Sequence, residues 1–223
     1  MQGKLIVFEG VDGAGKTTQL QHAQRWLQGS PLLPPGCPVE ITYEPGATRL
    51  GSQLRRLLLD PNGWLEESLP DRTELLLYAA DRVQHVETFL KPQLERGAII
   101  LCDRYTDSTT AYQGYGRGLD LSLVEQLNAI ATNGLESHLT LWLDVDVELG
   151  LSRTQQRGTA DRMEKANLAF RQRVQRGFAA LYQRYPQRII RIDGNQDETA
   201  VAQQIQATLN QRLIEWYPPL SAP

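Results

Sequence analysis

Lysine is scarce in this sequence. Only Lys4, Lys16, Lys91 and Lys165 are lysines among 23 basic residues, which leaves 19 arginines. Codon bias in a GC-rich genome accounts for such an imbalance; the alternative is that several arginines clamp planar anions such as phosphate. Cysteine is scarcer still. Cys37 and Cys102 stand far apart in the chain and exclude a disulfide framework; Cys102, inside an apolar run, reads as a small core residue. No apolar stretch approaches the roughly 18 residues of a membrane span. There is no internal repeat, no low-complexity segment and no composition break that marks a linker. A basic excess is also missing: 26 acidic residues leave a formal charge of −3, which argues against a general nucleic-acid binder. Met1-Gln2-Gly3-Lys4 runs straight into apolar sequence without signal-peptide architecture, so the cytoplasm is the expected location.

What is present fits a globular enzyme. Hydrophobic residues make up 41% and charged residues 22% of 223 residues, enough chain to bury about 70% of its unfolded surface. We expect one domain over residues 1–223. Short apolar runs at Leu5–Phe8, Val39–Tyr43, Ala98–Cys102, Leu139–Leu143 and Ile189–Ile192 alternate with helical patterns. The helical patterns cover about 17–27, 50–59, 71–95 and 198–215, with Pro92 kinking the third or marking its last turns. Asp60-Pro61-Asn62-Gly63 reads as a turn, and residues 217–223 as a frayed tail. Apolar strands separated by helices predict an α/β fold, with a five-stranded parallel sheet covered on both faces. Ligands of such sheets sit beyond the carboxyl ends of the strands.

The segment after the first strand carries the firmest motif. Gly10-Val11-Asp12-Gly13-Ala14-Gly15-Lys16-Thr17 matches the P-loop pattern of Gly, four residues, Gly-Lys-Ser/Thr, and Thr18 follows. Its glycines let backbone N–H groups turn inward around phosphate, and the next helix adds its positive end. Lys16 reaches the β- and γ-phosphates, and Thr17 can ligate Mg²⁺. The Asn-Lys-x-Asp motif of GTPase switches is missing. Two acids follow apolar strands, Asp103 and Asp144; one can serve Mg²⁺ and the other a strand-end turn. On the long helix Tyr78 and Arg82 are four apart and share a face. There a ring can stack a base and a guanidinium can clamp phosphate. Core packing and a surface ion pair with Asp81 or Glu87 are the plainer alternatives.

The ordered combination of segments resembles thymidylate kinases, P-loop enzymes that phosphorylate dTMP with ATP. The matching segments are Phe8–Thr18, Glu44-Pro45-Gly46, Tyr78-Ala79-Ala80-Asp81-Arg82, Asp103-Arg104-Tyr105, Ala111-Tyr112-Gln113-Gly114 and Asp161-Arg162, spread over about residues 4–195. The resemblance implies a nucleoside-monophosphate-kinase-like P-loop fold, ATP and Mg²⁺, and a homodimer formed through helices. It implies that Tyr78 stacks on thymine and that Arg82 and Arg104 grip the dTMP phosphate. Asp12 contacts the sugar 3′-hydroxyl, Thr109 reads the base edge, Tyr112 lies beneath the deoxyribose, and Gln113 belongs to the same acceptor site. Asp103 and Glu44 lie near the metal and the acceptor phosphate, and the Glu44–Pro45 bond is cis. The family commonly has Arg before Glu-Pro-Gly and Gly after it, where this chain has Tyr43 and Ala47; Arg49 is the candidate replacement for the missing charge.

Beyond Asp144, Arg153 and Arg157 are four apart, Gly158 allows a hinge, and Arg162 follows in a polar loop. A solvated helix face is the plain reading; the resemblance turns it into a lid at about 152–166. Gly13, where the eukaryotic type carries arginine, together with Arg153, Arg157 and Arg162 fits the bacterial type. Asp193-Gly194-Asn195 falls where the family passes close to adenine. The expectation is dTMP phosphorylation by ATP and Mg²⁺, with Lys16, Arg153, Asp103 and Arg104 at the reacting centre and with neither nucleic acid nor membrane as partner. The rivals are a P-loop kinase for another nucleotide or nucleoside, and a non-catalytic nucleotide-binding module.

Overall fold

A computed structural model describes residues 3–60, 69–156 and 167–218. Most of the turn expected at Asp60–Gly63, the lid beyond Gln156 with Arg157 and Arg162, and the tail beyond Pro218 lie outside the described residues. The elements run β1 (Lys4–Glu9), α1 (Lys16–Gln28), β2 (Val39–Tyr43), α2 (Arg49–Leu59), α3 (Asp71–His85), a π-helical turn (Val86–Leu90), α4 (Lys91–Glu95) and β3 (Ile99–Asp103). They continue through α5 (Thr106–Thr109), a second π-helical turn (Thr110–Gly116), α6 (Leu121–Thr132), β4 (Leu139–Asp144), α7 (Val147–Gln156), α8 (Leu168–Arg184), β5 (Ile189–Asp193) and α9 (Glu198–Trp216).

The five strands form one parallel sheet in the order β2-β3-β1-β4-β5. Successive side chains of a strand point to opposite faces. Ile6 and Phe8 accordingly join the core that holds Leu20 of α1, Phe178 of α8 and Leu209 of α9, whereas Leu5 and Val7 meet Val86 and Leu90 of the first π turn. Both faces are covered, which is why β1 and β3 read as continuous apolar runs. Each such side chain contributes about 1.5–3 kcal/mol on full burial. Cys102 sits in the second core, as expected. Side-chain caps fix several helix starts: Thr48, Asp120, Asn167 and Asp197 each accept a first-turn N–H, worth about 1 kcal/mol apiece.

All five expected strands are present, with ends within one residue of expectation. The helix expected from Asp71 to about Glu95 is instead three pieces. Pro92 has no amide hydrogen to give to an uninterrupted helix, and the wider turn at Val86–Leu90 directly precedes α4, in which Pro92 occupies the first turn. Helices α5, α6 and α8 and the second π-helical turn are additions to the pattern read from sequence.

Register decides what the sheet presents at its carboxyl edge. Phe8 and Tyr43 are both paired with Asp103. The residues that follow each strand, namely the P-loop, Glu44 and Arg104, therefore emerge side by side. The chain steps from β3 to the far side of β1 when it enters β4, so the P-loop lies at the switch point where such sheets bind ligands.

Candidate active site

A cavity of about 520 Å³ opens at this edge. Asp12, Gly13, Gly15, Lys16, Thr17 and Thr18 line one side; Glu44, Tyr78, Arg82, Arg104, Thr109, Tyr112 and Gln113 line the other; Asp103 and Arg153 also reach it. Of the described candidates from sequence, Gly10, Val11 and Ala14 do not line it. Val11 and Ala14 are buried in the core beneath the loop.

The P-loop side is held by bonds within and beneath the loop. Lys16 is almost fully buried and donates from Nζ to the Gly10 and Val11 carbonyls, both at 3.1 Å. Burial first, then the Arg104 guanidinium, push its ammonium below the ordinary lysine range. Thr17 donates from Oγ1 to Asp103 Oδ2 at 3.1 Å, while Asp103 Oδ1 is buried without a partner among the described residues. Asp144 is spent elsewhere: it accepts from Arg191 Nε at 2.7 Å and Gln175 Nε2 at 3.1 Å. Of the two strand-end acids, Asp103 is therefore the one at the P-loop.

Gly13 has a positive φ of 83°, and a Cβ built there would lie 2.1 Å from the Gly150 carbonyl oxygen of α7. No side chain fits in that gap. The contact is reciprocal, since a Cβ on Gly150 would meet the Asp12 carbonyl oxygen at 2.9 Å. This close approach of loop and helix carries Arg153, one turn further along α7, into the cavity, where Nη1 also donates to the Gly194 carbonyl at 3.3 Å.

The side across from the P-loop is a set of buried and half-buried side-chain networks. Arg104 takes a positive φ of 71°, a strained conformation costing about 1–3 kcal/mol for a non-glycine residue. Bonds on either side of it hold the turn: Arg104 N donates to the Phe8 carbonyl at 3.0 Å and Tyr105 N to Glu9 Oε1 at 2.8 Å. Its guanidinium donates to the Gly10 carbonyl, Ser108 Oγ, Asp12 Oδ1 and the Tyr112 hydroxyl, and lies 5.0 Å from the Tyr112 ring centroid. The Tyr112 hydroxyl in turn donates to Asp12 Oδ2 at 3.1 Å. Burial alone would raise the Asp12 carboxyl, but Arg104 and Lys16 hold it below its ordinary value. Thr109 is buried beside this group with no side-chain hydrogen bond among the described residues.

Glu44 follows β2 through a cis bond to Pro45, as expected. Its carboxylate accepts from Arg82 Nε and from His85 Nδ1, each at 2.8 Å. His85 Nε2 pairs with the Thr42 hydroxyl at 2.7 Å. Arg82 further donates to Asn128 Oδ1 at 2.7 Å and the Tyr105 carbonyl at 3.1 Å. Its ion pair is thus with Glu44 and not with Asp81 or Glu87; Asp81 instead accepts from Gly46 N at 3.1 Å. Burial, then the neighbouring Glu44, push the Asp81 carboxyl up to about 6. Glu44, despite its burial, is held below its ordinary value by Arg82 and His85.

Several residues of the site were not visible in the sequence. Arg49 is exposed and does not line the cavity; Arg55 does. Arg55 lies 5.7 Å from the Tyr43 ring centroid and donates from Nη1 to the Pro45 carbonyl at 2.7 Å. A cation thus stands at the departure from the usual motif, delivered from α2. Glu9, buried under the P-loop, accepts from Tyr105 N, Ser108 N and Ser108 Oγ. Burial, then Asp107, push its carboxyl up to about 7. Apart from the motif position of Glu9, no local signal distinguishes these residues from ordinary surface or core polar groups.

Comparison with known proteins agrees with this geometry. Residues 8–205 match the family model described as thymidylate kinase. The chain is 56% identical to a protein named thymidylate kinase from Cyanothece sp. (strain PCC 7425), over 99% of each chain. It is 54% identical to a thymidylate kinase of Trichodesmium erythraeum, over 97% of this chain and 99% of that one. Among solved structures, the crystal structure of thymidylate kinase from Ehrlichia chaffeensis superposes with a TM-score of 0.73 at 31% identity, covering 94% of this chain and all of the other.

Proposed function

We propose that this chain, which belongs to the thymidylate kinase family and phosphorylates dTMP to dTDP, takes the phosphoryl group from ATP in the presence of Mg²⁺. The observation that carries the reading is the placement of Arg104. One guanidinium touches the P-loop at Gly10, the sugar-side acid Asp12 and the aromatic floor at Tyr112, within a cavity that Lys16 and Tyr78 also line. Donor and acceptor sites therefore share one chamber, as direct transfer between two nucleotides requires.

In this reading the P-loop amides and Lys16 hold the ATP phosphates, with Lys16 exchanging its loop carbonyls for phosphate oxygens. Arg104 and Arg82 with Glu44 secure the acceptor phosphate, and Arg55 adds charge beside it. Tyr78 stacks on the base, Thr109 and Gln113 read its edge, and Tyr112 with Asp12 supports the sugar. A dTMP phosphate oxygen attacks the γ-phosphorus in line as the bond to the β,γ-bridging oxygen breaks and ADP leaves, so no protein nucleophile is needed. Arg153, and Arg157 and Arg162 of the lid, neutralise charge on the transferred group, an effect worth about 10³–10⁵ in rate for cationic fingers. Thr17 and Asp103 fit Mg²⁺: both offer hard oxygens, and the buried Asp103 Oδ1 lacks a protein donor. When bound, the ion supplies Lewis-acid neutralisation of phosphate charge.

The same proposal treats the chain as one kinase domain in the cytoplasm without nucleic-acid partners, and as a homodimer. The dimer reading is supported by exposed apolar side chains on two helices that pack together: Leu76 and Val83 of α3 and Ile130 of α6 are 56%, 42% and 72% exposed. The test of function is a coupled assay of ADP release with dTMP, dUMP, dCMP and dGMP. The expected result is a clear preference for dTMP. Preference for another acceptor, or ADP release indifferent to dTMP, contradicts the reading.

A further inference from the structure

Glu74 lies in the first turn of α3, fully buried, and takes no part in the chemistry described above. Its oxygens are nonetheless committed. Oε1 accepts from Gln113 Nε2 at 2.8 Å and from Arg117 Nε at 3.3 Å, and Oε2 accepts from Arg117 Nη2 at 3.0 Å. Arg117 is itself held, 3.4 Å from Asp71 and 5.1 Å from the Phe170 ring centroid. A carboxylate paired with a guanidinium only accepts hydrogen bonds. The nitrogen end of the Gln113 amide must therefore face Glu74, although a free glutamine amide can turn either end inward. The opposite atom, Gln113 Oε1, has no hydrogen bond to a described residue and is not among the sealed atoms left without a partner. Because Gln113 lines the cavity, that oxygen opens to the acceptor space.

We propose that Glu74 is a positioning residue for base selection: it locks the Gln113 amide so that a carbonyl oxygen, never an N–H, meets the pyrimidine edge. This rests on the dTMP reading above. Thymine carries a proton on N3, which an acceptor oxygen welcomes. Cytosine presents an N3 lone pair at the same place, and two acceptors facing each other cannot bond. Discrimination then comes from an unpaired, desolvated polar contact against the wrong base, a stronger filter than a single methyl. The lock is blind to the choice between thymine and uracil, since both carry the N3 proton.

The experiment compares kcat/KM for dTMP, dUMP and dCMP in the wild type, Glu74→Gln and Glu74→Asp. Glu74→Gln keeps the shape but lets the Gln113 amide turn over. The dTMP-to-dCMP ratio should fall roughly tenfold or more, with the dCMP value itself rising and the dTMP-to-dUMP ratio unchanged. General damage to the fold would instead lower all three substrates together. Should Glu74→Gln melt below the assay temperature, Glu74→Asp decides, because it keeps the charge for Arg117 while withdrawing the carboxylate from Gln113. A dTMP-specific wild type whose folded variants keep the wild-type ratio, or lose all substrates in proportion, overturns the lock alone. A wild type with no dTMP turnover overturns the functional reading and the lock with it.

Discussion

Around the P-loop the cavity is lined by one short stretch of chain, Asp12 to Thr18 with Lys16 as its cation, whereas across from it the lining is side chains from several elements, Arg82 and Gln113 among them held by the buried carboxylates Glu44 and Glu74. The donor half needs glycine, a strand before it and a helix after it, and all of these lie within one short stretch of chain. The acceptor half draws Glu44 from β2, Arg82 and Tyr78 from α3, Arg104 from the turn after β3 and Gln113 from a π turn. Glu44, Arg82, Arg104 and Gln113 are each fixed by a partner on another element. Triphosphate is common to many nucleotides and is gripped by charge and amide geometry alone. A particular monophosphate must be told from its relatives, and pre-positioned side chains do so without paying their ordering cost at each binding event. The two halves meet at Arg104 and Glu9, where a strained turn is held by bonds to β1.

Three perturbations break or sharpen this contrast. The largest expected effect is on the donor side. Lys16→Ala removes a charge whose hydrogen-bond partners among the described residues are loop carbonyls, so kcat should fall on the order of 10³-fold or more while the thermal midpoint stays near that of the wild type. Retained turnover in a steady-state assay would mean that the loop does not hold ATP as described. On the acceptor side the balance should reverse. Glu44→Ala leaves Arg82 and His85 buried without their shared carboxylate, and breaking such a pair costs about 3–5 kcal/mol. Urea denaturation should show that loss alongside a raised KM for dTMP; a stability change below about 1 kcal/mol would mean the network is not a unit. The smallest effect is expected at the junction. Glu9 is raised from 4.5 to about 7, so its stabilising contribution is fully present below about pH 4.5 and is lost as pH rises through about 7. Glu9→Gln cannot titrate. The wild type should therefore gain stability relative to Glu9→Gln as pH falls through that window, and a stability difference that is flat with pH would place the titration elsewhere.

Legibility in the sequence followed the same division. The five strands and the P-loop announced themselves because each is a local pattern: an apolar run of strand length, or glycines at fixed spacing before a lysine. Helix α8 was harder to see, since four arginines and Gly177 interrupt it, although Phe170, Val174, Phe178 and Leu181 make a clear buried face. Helix α6 exposes Leu121 and Ile130, so its apolar residues do not form one clean stripe. The π turns depend on a wider hydrogen-bond step that no residue type encodes. In the site, Tyr78 and Arg82 were located by motif resemblance, but the partners that orient Arg82 were not. Glu74, His85 and Asn128 become meaningful only once α3, the second π turn and α6 are side by side. Arg55 lies beside Tyr43, where the usual motif has a charge, yet in sequence it is one arginine of several on an amphipathic helix. The arginine excess of the sequence is thereby partly explained: Arg55, Arg82, Arg104 and Arg153 line the cavity.

The central claim is that donor-side cations act on the transferred phosphoryl group while the acceptor network acts on dTMP. Arg153 tests it most directly, because the Gly13–Gly150 contact brings it to the cavity from α7 and it lies outside the acceptor networks. Initial-rate kinetics of Arg153→Ala across dTMP concentrations at saturating ATP should show kcat reduced by about 10³-fold with KM for dTMP close to the wild-type value. A variant that keeps its kcat and loses only dTMP affinity would put Arg153 in the acceptor half and contradict the division.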